Sequence, residues 1–171
     1  MKDNFDLTEL KSSEKKKLNS RTKGNTFERK VCDILNTRFS TKDFMRSPGS
    51  GAFATSHRLP AHLKFYGDLL TPQNFNFTIE CKKGYNKEGI DSLLVSKSEL
   101  WKFLEQAETD AQKANKRPLL IWQQDRSEIL VFFEEDLIDK DLITYPFCTL
   151  SKDFIMMRLK NFLELPISFF S

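Results

Sequence analysis

Apolar and polar positions follow two periodicities along this chain. Four apolar side chains recur every three to four residues, as on one face of a helix, and predict an α-helix over residues 24–39: Phe27, Val31, Ile34 and Leu35. Residues 75–82 alternate strictly instead, with apolar side chains at odd positions and polar ones at even positions, which is typical of a strand. A second amphipathic helix is predicted from an N-cap at Ser96 to about Asn115, with Pro118 as the helix breaker.

Shorter segments complete the predicted order of elements. Residues 43–46, 65–70, 119–123 and 128–133 predict strands, and residues 134–139 predict a short acidic helix. Residues 154–165 fit a strand, a helix, or one after the other. The order of helix, strands, helix and strands predicts an α/β fold, a central mixed β-sheet flanked by helices. The polar residues 1–22 predict a basic flexible arm, and residues 23–171 predict a single domain.

Composition narrows the class of protein. The 171 residues are 39% hydrophobic and 30% charged, which is typical of a globular chain and not of a disordered one. No apolar run approaches the ~20 residues of a membrane helix, and no signal-peptide pattern follows the N-terminus, so we expect a cytoplasmic protein without membrane partners. The three cysteines are widely spaced and form no C-x-x-C pair, which argues against a disulfide framework or a zinc knuckle.

Charge is unevenly distributed along the chain. The net charge is +3, but residues 1–30 alone carry nine Lys and Arg residues against five acids. A basic arm on a near-neutral body fits a polyanionic partner such as nucleic acid, and it equally fits a solvated tail. Both histidines, His57 and His62, lie in a predicted loop and lack a second ligand at helical spacing, so they do not predict a metal site.

Four charged positions carry the candidate chemistry. Glu80 and Lys82 are two residues apart in the predicted strand and project from the same face. Asp68 interrupts an apolar run in the preceding strand, and Glu28 lies at the edge of the apolar face of the first helix. Converging carboxylates repel one another unless a cation lies between them, and oxygen ligands select Mg²⁺ or Mn²⁺. Structural ion pairing is the alternative interpretation.

A divalent ion at these carboxylates would favour phosphodiester hydrolysis. Such an ion lowers the pKa of a coordinated water and neutralises the charge that develops on phosphoryl oxygens. Lys82 would orient the water, help to deprotonate it, or stabilise the pentavalent state as a cation.

The same residues form a recognisable motif. Asp68, eleven further residues, and then Glu80-Cys81-Lys82 give D-x11-E-x-K, which resembles the PD-(D/E)XK nuclease superfamily. Residues 24–29 resemble its G-x-x-x-E-R helix start, and residues 46–51 resemble the R-x-P-x-S-G loop of Hjc-type Holliday-junction resolvases of archaea and their viral relatives. The resemblance implies a restriction-endonuclease-like fold and an Mg²⁺-dependent endodeoxyribonuclease that nicks four-way junctions in symmetric pairs, as a homodimer.

The resemblance also implies roles for individual residues. It implies that catalysis depends on Glu28, Asp68, Glu80, Lys82 and Ser50. It implies that Mg²⁺, with Mn²⁺ as a substitute, is held by the carboxylates of Glu28, Asp68 and Glu80 and by the backbone carbonyl of Cys81. The implied DNA contacts are Lys23, Arg29, Arg46, Ser47, Ser50 and Gly51. Gln106 is either a supporting residue of the site or an ordinary surface glutamine.

Several features depart from the resolvase pattern and leave other functions open. Gly67 precedes Asp68 where the superfamily name has proline, and Glu99 stands where the family has a glutamine early in the second helix. One alternative is a nuclease of the same superfamily that acts on other DNA in restriction, repair or replication. Another is a non-catalytic DNA-binding module, and a third is an unrelated α/β domain with coincidental spacing. The phenylalanine-rich residues 162–170 predict either core or a dimer surface.

Overall fold

A computed structural model describes residues 20–48, 66–94, 98–139, 143–151 and 153–171 of the chain. The arm up to residue 19 and the segment 49–65, which includes Ser50, Gly51, His57 and His62, lie outside these residues. Among the helices described, none combines the length and the apolarity needed to cross a bilayer.

Within the described residues, seven strands form one mixed sheet in the order β1-β2-β3-β4-β5-β7-β6. The strands are β1 (Met45–Arg46), β2 (Leu69–Leu70), β3 (Phe77–Lys83), β4 (Arg117–Gln123), β5 (Leu130–Glu134), β6 (Phe147–Leu150) and β7 (Phe154–Arg158). Only the pair of β3 and β4 is parallel in this sheet, and a helix connects these two strands as a parallel pair requires.

Two hydrophobic cores lie on opposite faces of this sheet. One face packs against helix α1 (Ser20–Phe39) and against the short C-terminal helices α3 (Leu159–Phe162) and α4 (Ile167–Phe170). The other face packs against α2 (Glu99–Ala114), which is the β3–β4 connection. Phe77, Ile79 and Cys81 of β3 enter the first core, as the alternation along this strand predicts. The predicted α/β fold with helices flanking a central mixed sheet is confirmed.

Some local features differ from the predicted ones. The N-cap of α2 is Ser98, not Ser96, because the Ser98 hydroxyl accepts the Leu100 N–H at 3.1 Å. Pro118 lies inside β4 rather than between helix and strand. The strand tolerates this proline because pairing with β5 begins only at Leu119, so no ladder hydrogen bond is lost on that side.

The C-terminal region resolves two ambiguities of the sequence. Residues 154–165 form a strand and then a helix, β7 followed by α3. Phe162 and Phe170 are buried in the core and pack edge-to-face with ring centroids 5.2 Å apart. The strand β6 had no sequence signal, since it is an edge strand whose side chains are exposed or half-buried.

Candidate active site

A cleft opens where β3 extends beyond its neighbour β2. The two strands pair at Leu69 and Ile79, and no other strand of the described residues pairs with this edge of β3, which runs beneath the first half of α1. The cleft has a volume of about 490 Å³. Both acidic and basic side chains line it, including Lys23, Glu28, Asp68, Lys82, Lys83 and Asp125.

Asp68 is fixed at the point where β2 and β3 separate. Its N–H donates to the Ile79 carbonyl at 2.8 Å, and its own carbonyl accepts the Ser47 N–H at 2.9 Å. Its carboxylate accepts the Cys81 N–H at 2.8 Å, in the place where a longer β2 would supply a backbone carbonyl. The Asp68 side chain is therefore held by the edge of β3 itself, and the residue is almost completely buried.

Gly67 sets the path of the chain into Asp68. Its φ of +75° lies in the left-handed region, which proline cannot adopt because its ring fixes φ near −65°. A Cβ atom at this position would also lie 2.6 Å from the Ile79 carbonyl oxygen. The replacement of the superfamily's proline by glycine is thus a requirement of this backbone.

Glu80 and Lys82 project together toward α2. The Lys82 ammonium donates to the Glu80 carboxylate at 2.5 Å and to the Gln106 amide oxygen at 3.0 Å. It also lies 5.1 Å from the centroid of the Phe103 ring, within range of a cation–π interaction. Glu99, which stands where the resolvases have a glutamine, pairs with Lys102 on the helix surface. The glutamine that contacts Lys82 is Gln106, two turns further along α2.

Glu28 reaches the cleft from α1 and is engaged by Arg46 of β1. Arg46 donates from Nε to the Glu28 carboxylate at 2.6 Å and from a terminal nitrogen to the Asn25 side-chain oxygen at 2.7 Å. Glu28 is buried, as are Asp68 and Glu80. Three carboxylates from three different elements are therefore buried near one another: Glu28 and Asp68 line the cleft, and Glu80 interacts with Asp68.

The carboxylates influence one another's proton affinity. Burial raises the pKa of Glu80 to about 7, and the neighbouring Asp68 adds to the increase. Burial also raises the pKa of Asp68, with Glu28 contributing in the same direction, although the Cys81 N–H opposes it. Burial lowers the pKa of Lys82, but the attraction of Glu80 outweighs this and leaves the pKa raised, so Lys82 is a cation at neutral pH.

Comparison with known proteins assigns the chain to a family. Residues 19–165 match the family described as "Phage putative PDDEXK endonuclease". The chain belongs to this family. A curated relative, Protein D14 of Escherichia phage T5, is 36% identical over 119 residues, which cover 67% of this chain and 70% of the relative. No solved structure matches the chain.

Membership of the phage PDDEXK endonuclease family confirms the superfamily that the D-x11-E-x-K motif predicts. Together with the mixed sheet and its flanking helices, it also confirms the restriction-endonuclease-like α/β fold. PD-(D/E)XK nucleases generally use divalent metal ions. The question for this cleft is therefore whether its oxygen atoms suit such an ion.

The carboxylate oxygens of Asp68 and Glu80 and the carbonyl oxygen of Cys81 are the type of ligand that hard divalent cations prefer. Among the described residues, no three acidic, histidine or cysteine side chains stand in a metal-binding arrangement. Arg46 pairs with Glu28, and Lys82 pairs with Glu80. The pKa values of Asp68 and Glu80 are nevertheless raised, first by burial and further by a neighbouring carboxylate, and a cation would offset both effects. Strand alternation turns the Cys81 carbonyl toward the same open edge of β3 as its N–H.

The residues expected to contact DNA differ in exposure and in their distance from the cleft. Lys23 lines the cleft, and Arg29 is exposed on α1. Ser47 is buried, and its hydroxyl has no hydrogen-bond partner within the described part of the chain. Ser50 and Gly51 lie outside the described residues.

Sequence reasoning missed a second group of cleft residues. Lys83, Asn86 and Asp125 line the end of the cleft near Lys23, and none of them belongs to the D-x11-E-x-K motif. Asp125 lies in the turn between β4 and β5, and its contacts with Lys23 and Lys83 span long stretches of sequence. No local pattern signals them.

Proposed function

We propose that this protein is a metal-dependent DNA endonuclease, and that its substrate is a four-way junction cut by paired symmetric nicks. The observation that carries the nuclease proposal is the burial of Glu28 and Asp68 in one cleft, together with the buried Glu80, which interacts with Asp68 and accepts from the Lys82 ammonium. Buried carboxylates with raised pKa values beside a lysine are typical of functional sites.

In this proposal the side chains have distinct roles. Asp68, Glu80 and the Cys81 carbonyl would hold Mg²⁺, with Mn²⁺ as a substitute, and Glu28 would join them on release from Arg46. The bound ion would supply Lewis-acid activation of water and would neutralise charge on the phosphoryl oxygens. Lys82 is held as a cation by Glu80, so it would orient the attacking water and stabilise developing negative charge rather than act as a base.

The junction substrate and the homodimer rest on the resemblance of residues 46–51 to the resolvase loop. A junction has no fixed sequence, so recognition would depend on shape and on phosphate contacts, with binding that weakens steeply as salt rises. Two-fold pairing of two chains would present two cuts on opposing strands. The phage family supports a site of action in the infected host cell. We further propose residues 1–22, of which residues 20–22 form the start of α1, as a basic arm, and residues 23–171 as the nuclease domain.

The test is cleavage of an immobile four-way junction and of a linear duplex, each with Mg²⁺ and with Ca²⁺. We expect Mg²⁺-dependent nicking, faster on the junction, and loss of nicking in Asp68→Asn, Glu80→Gln and Lys82→Gln. Glu134→Gln is the matched control, since this carboxylate pairs with Arg117 at the opposite end of β4. Equal rates on both substrates would reject the junction and keep the nuclease. Binding without cleavage under every metal condition would favour the non-catalytic module.

A further inference from the structure

Two lysines from different elements converge on one carboxylate at the end of the cleft. The ammonium of Lys23, on α1, lies 3.1 Å from the Asp125 carboxylate, and that of Lys83, at the end of β3, lies 3.5 Å from it. All three residues line the same cleft as Glu28 and Asp68. Neither Lys83 nor Asp125 has a part in the chemistry proposed above.

Lys83 is directed at this point by a contact in addition to the Asp125 carboxylate. Lys83 donates to the Gln124 carbonyl at 2.9 Å, and its side chain is only 18% exposed. Asn86 accepts the Asp125 N–H at 2.8 Å, which fixes the backbone of the turn. Rotation of the Asp125 side chain alone would therefore leave the turn and Lys83 in place and uncover two ammonium groups.

A phosphate oxygen resembles the carboxylate that these lysines now bind. Both are anionic acceptors that form charge-assisted hydrogen bonds with ammonium groups. The low pKa of Asp125, about 2, reflects hydrogen bonds from Asn86 and Lys23, so the carboxylate is ionised at neutral pH and competes with any entering anion. Lys83 is three residues beyond Glu80, or about 10 Å along a strand, which places the lysine pair near the proposed reaction centre without overlapping it.

We propose that Lys23 and Lys83 bind a DNA backbone phosphate beside the scissile one, and that Asp125 occupies this phosphate site in the free protein. The proposal rests on the proposed function, since it requires DNA in the cleft. It makes Asp125 a competitor of the substrate: the charge of this side chain orders the lysines before binding and weakens binding itself.

The test is DNA affinity as a function of salt, measured by fluorescence anisotropy on the junction and the duplex in Ca²⁺. We expect Asp125→Asn to tighten binding about three- to tenfold at ~0.1 M salt, because the neutral amide still accepts from Asn86 but no longer attracts the lysines. Lys83→Ala should weaken binding and reduce the slope of log affinity against log salt by about 0.9, the value for one lost phosphate contact. Asp125→Asn should gain less in the Lys83→Ala background.

A matched control lies at the opposite end of the paired strands β3 and β4. Arg117 binds both Glu134 and Asp136, and it pairs in register with Phe77, whereas Lys83 pairs with Gln123. Asp136→Asn should leave affinity and salt slope unchanged. A cooperative thermal melt shows that each variant is folded. If Asp125→Asn does not fold, the salt dependence is measured with Lys23→Ala, a substitution on the surface of α1.

The outcomes separate this inference from the proposed function. Unchanged or weaker binding by folded Asp125→Asn, or an unchanged salt slope in the lysine variants, would overturn the phosphate site while wild-type binding and cleavage persist. A wild-type protein that binds neither the four-way junction nor the linear duplex would overturn the proposed function itself.

Discussion

Arg46 and Glu28 form an ion pair of 2.6 Å that joins β1 to α1 at the edge of the cleft. The Glu28 side chain is 11% exposed, and the Arg46 guanidinium offsets the burial of its charge. In the proposed function, a divalent ion that takes the Glu28 oxygen bound by Arg46 would displace the guanidinium, which would then be available to a phosphate. On that proposal the two residues would link metal binding to DNA binding.

Arg46→Gln should therefore destabilise the metal-free protein and make it more responsive to metal. We expect a loss of about 1–3 kcal/mol in the free energy of unfolding, because a buried carboxylate loses its charged partner. Mn²⁺ should restore more stability to the variant than it adds to the wild type, because no guanidinium competes for Glu28. Urea unfolding with Mn²⁺ and with chelator measures both effects.

Arg117→Gln provides the control for this substitution. The Arg117 side chain is 42% exposed and pairs with surface carboxylates, so its loss should cost less than about 1 kcal/mol and should not depend on Mn²⁺. Equal Mn²⁺ stabilisation of wild type and Arg46→Gln would argue against a metal role for Glu28.

The raised pKa of Glu80 predicts how stability changes with pH. The ordinary value is 4.5 and the folded value is about 7, so between these limits the folded protein binds more protons than the unfolded chain. Stability of the metal-free protein therefore falls as pH rises from about 4.5 to about 7, and the shift corresponds to on the order of 3 kcal/mol. Glu80→Gln removes this dependence and should be more stable than the wild type at pH 8 in chelator.

Unfolding of wild type and Glu80→Gln from pH 4.5 to 8 measures this difference, since groups that do not interact with Glu80 cancel in the comparison. Mn²⁺ should reverse the order at pH 8, because it neutralises the carboxylate only in the wild type. Parallel pH profiles for the two proteins would mean that Glu80 titrates normally and that its burial carries no excess charge.

Gln106 positions the Lys82 ammonium, and its removal should affect turnover more than binding. Gln106→Ala loses the 3.0 Å hydrogen bond while the contact with Glu80 remains, so we expect turnover to fall about tenfold with DNA affinity in Ca²⁺ unchanged. Gln112→Ala, at an exposed position of the same helix, should leave both quantities unchanged. A parallel loss of affinity would instead indicate that Gln106 contacts DNA.

Local periodicity predicted part of the site and tertiary contacts determined the rest. Strand alternation is a property of consecutive residues, so it placed Glu80 and Lys82 on one face without knowledge of the fold. The contact of Lys83 with Asp125 instead depends on the parallel register of β3 and β4, which no local pattern specifies. The sequence could not separate Ser96 from Ser98 because both residues suit an N-cap, and the structure shows Ser98 accepting the Leu100 N–H.

Gly67 stands where the superfamily name has proline, and the backbone explains this departure from the motif. Its left-handed φ and the 2.6 Å approach of a Cβ atom to the Ile79 carbonyl both oppose any side chain. We expect Gly67→Ala to lose at least about 2 kcal/mol of stability, because the clash is with backbone and adds to a conformational cost of about 1 kcal/mol. Since Asp68 follows directly, cleavage should fall even at temperatures where the variant is folded.

Gly84→Ala separates the clash from the conformational cost. Gly84 also has a positive φ, +93°, but a Cβ atom there would meet no described atom within 4 Å. Its substitution should cost only the conformational part, about 1 kcal/mol. Thermal melts of both variants with cleavage measured below each transition make the comparison. Equal losses of stability for the two alanines would mean that β2 can move away from β3, and that the position of Asp68 does not depend on the absence of a side chain at residue 67.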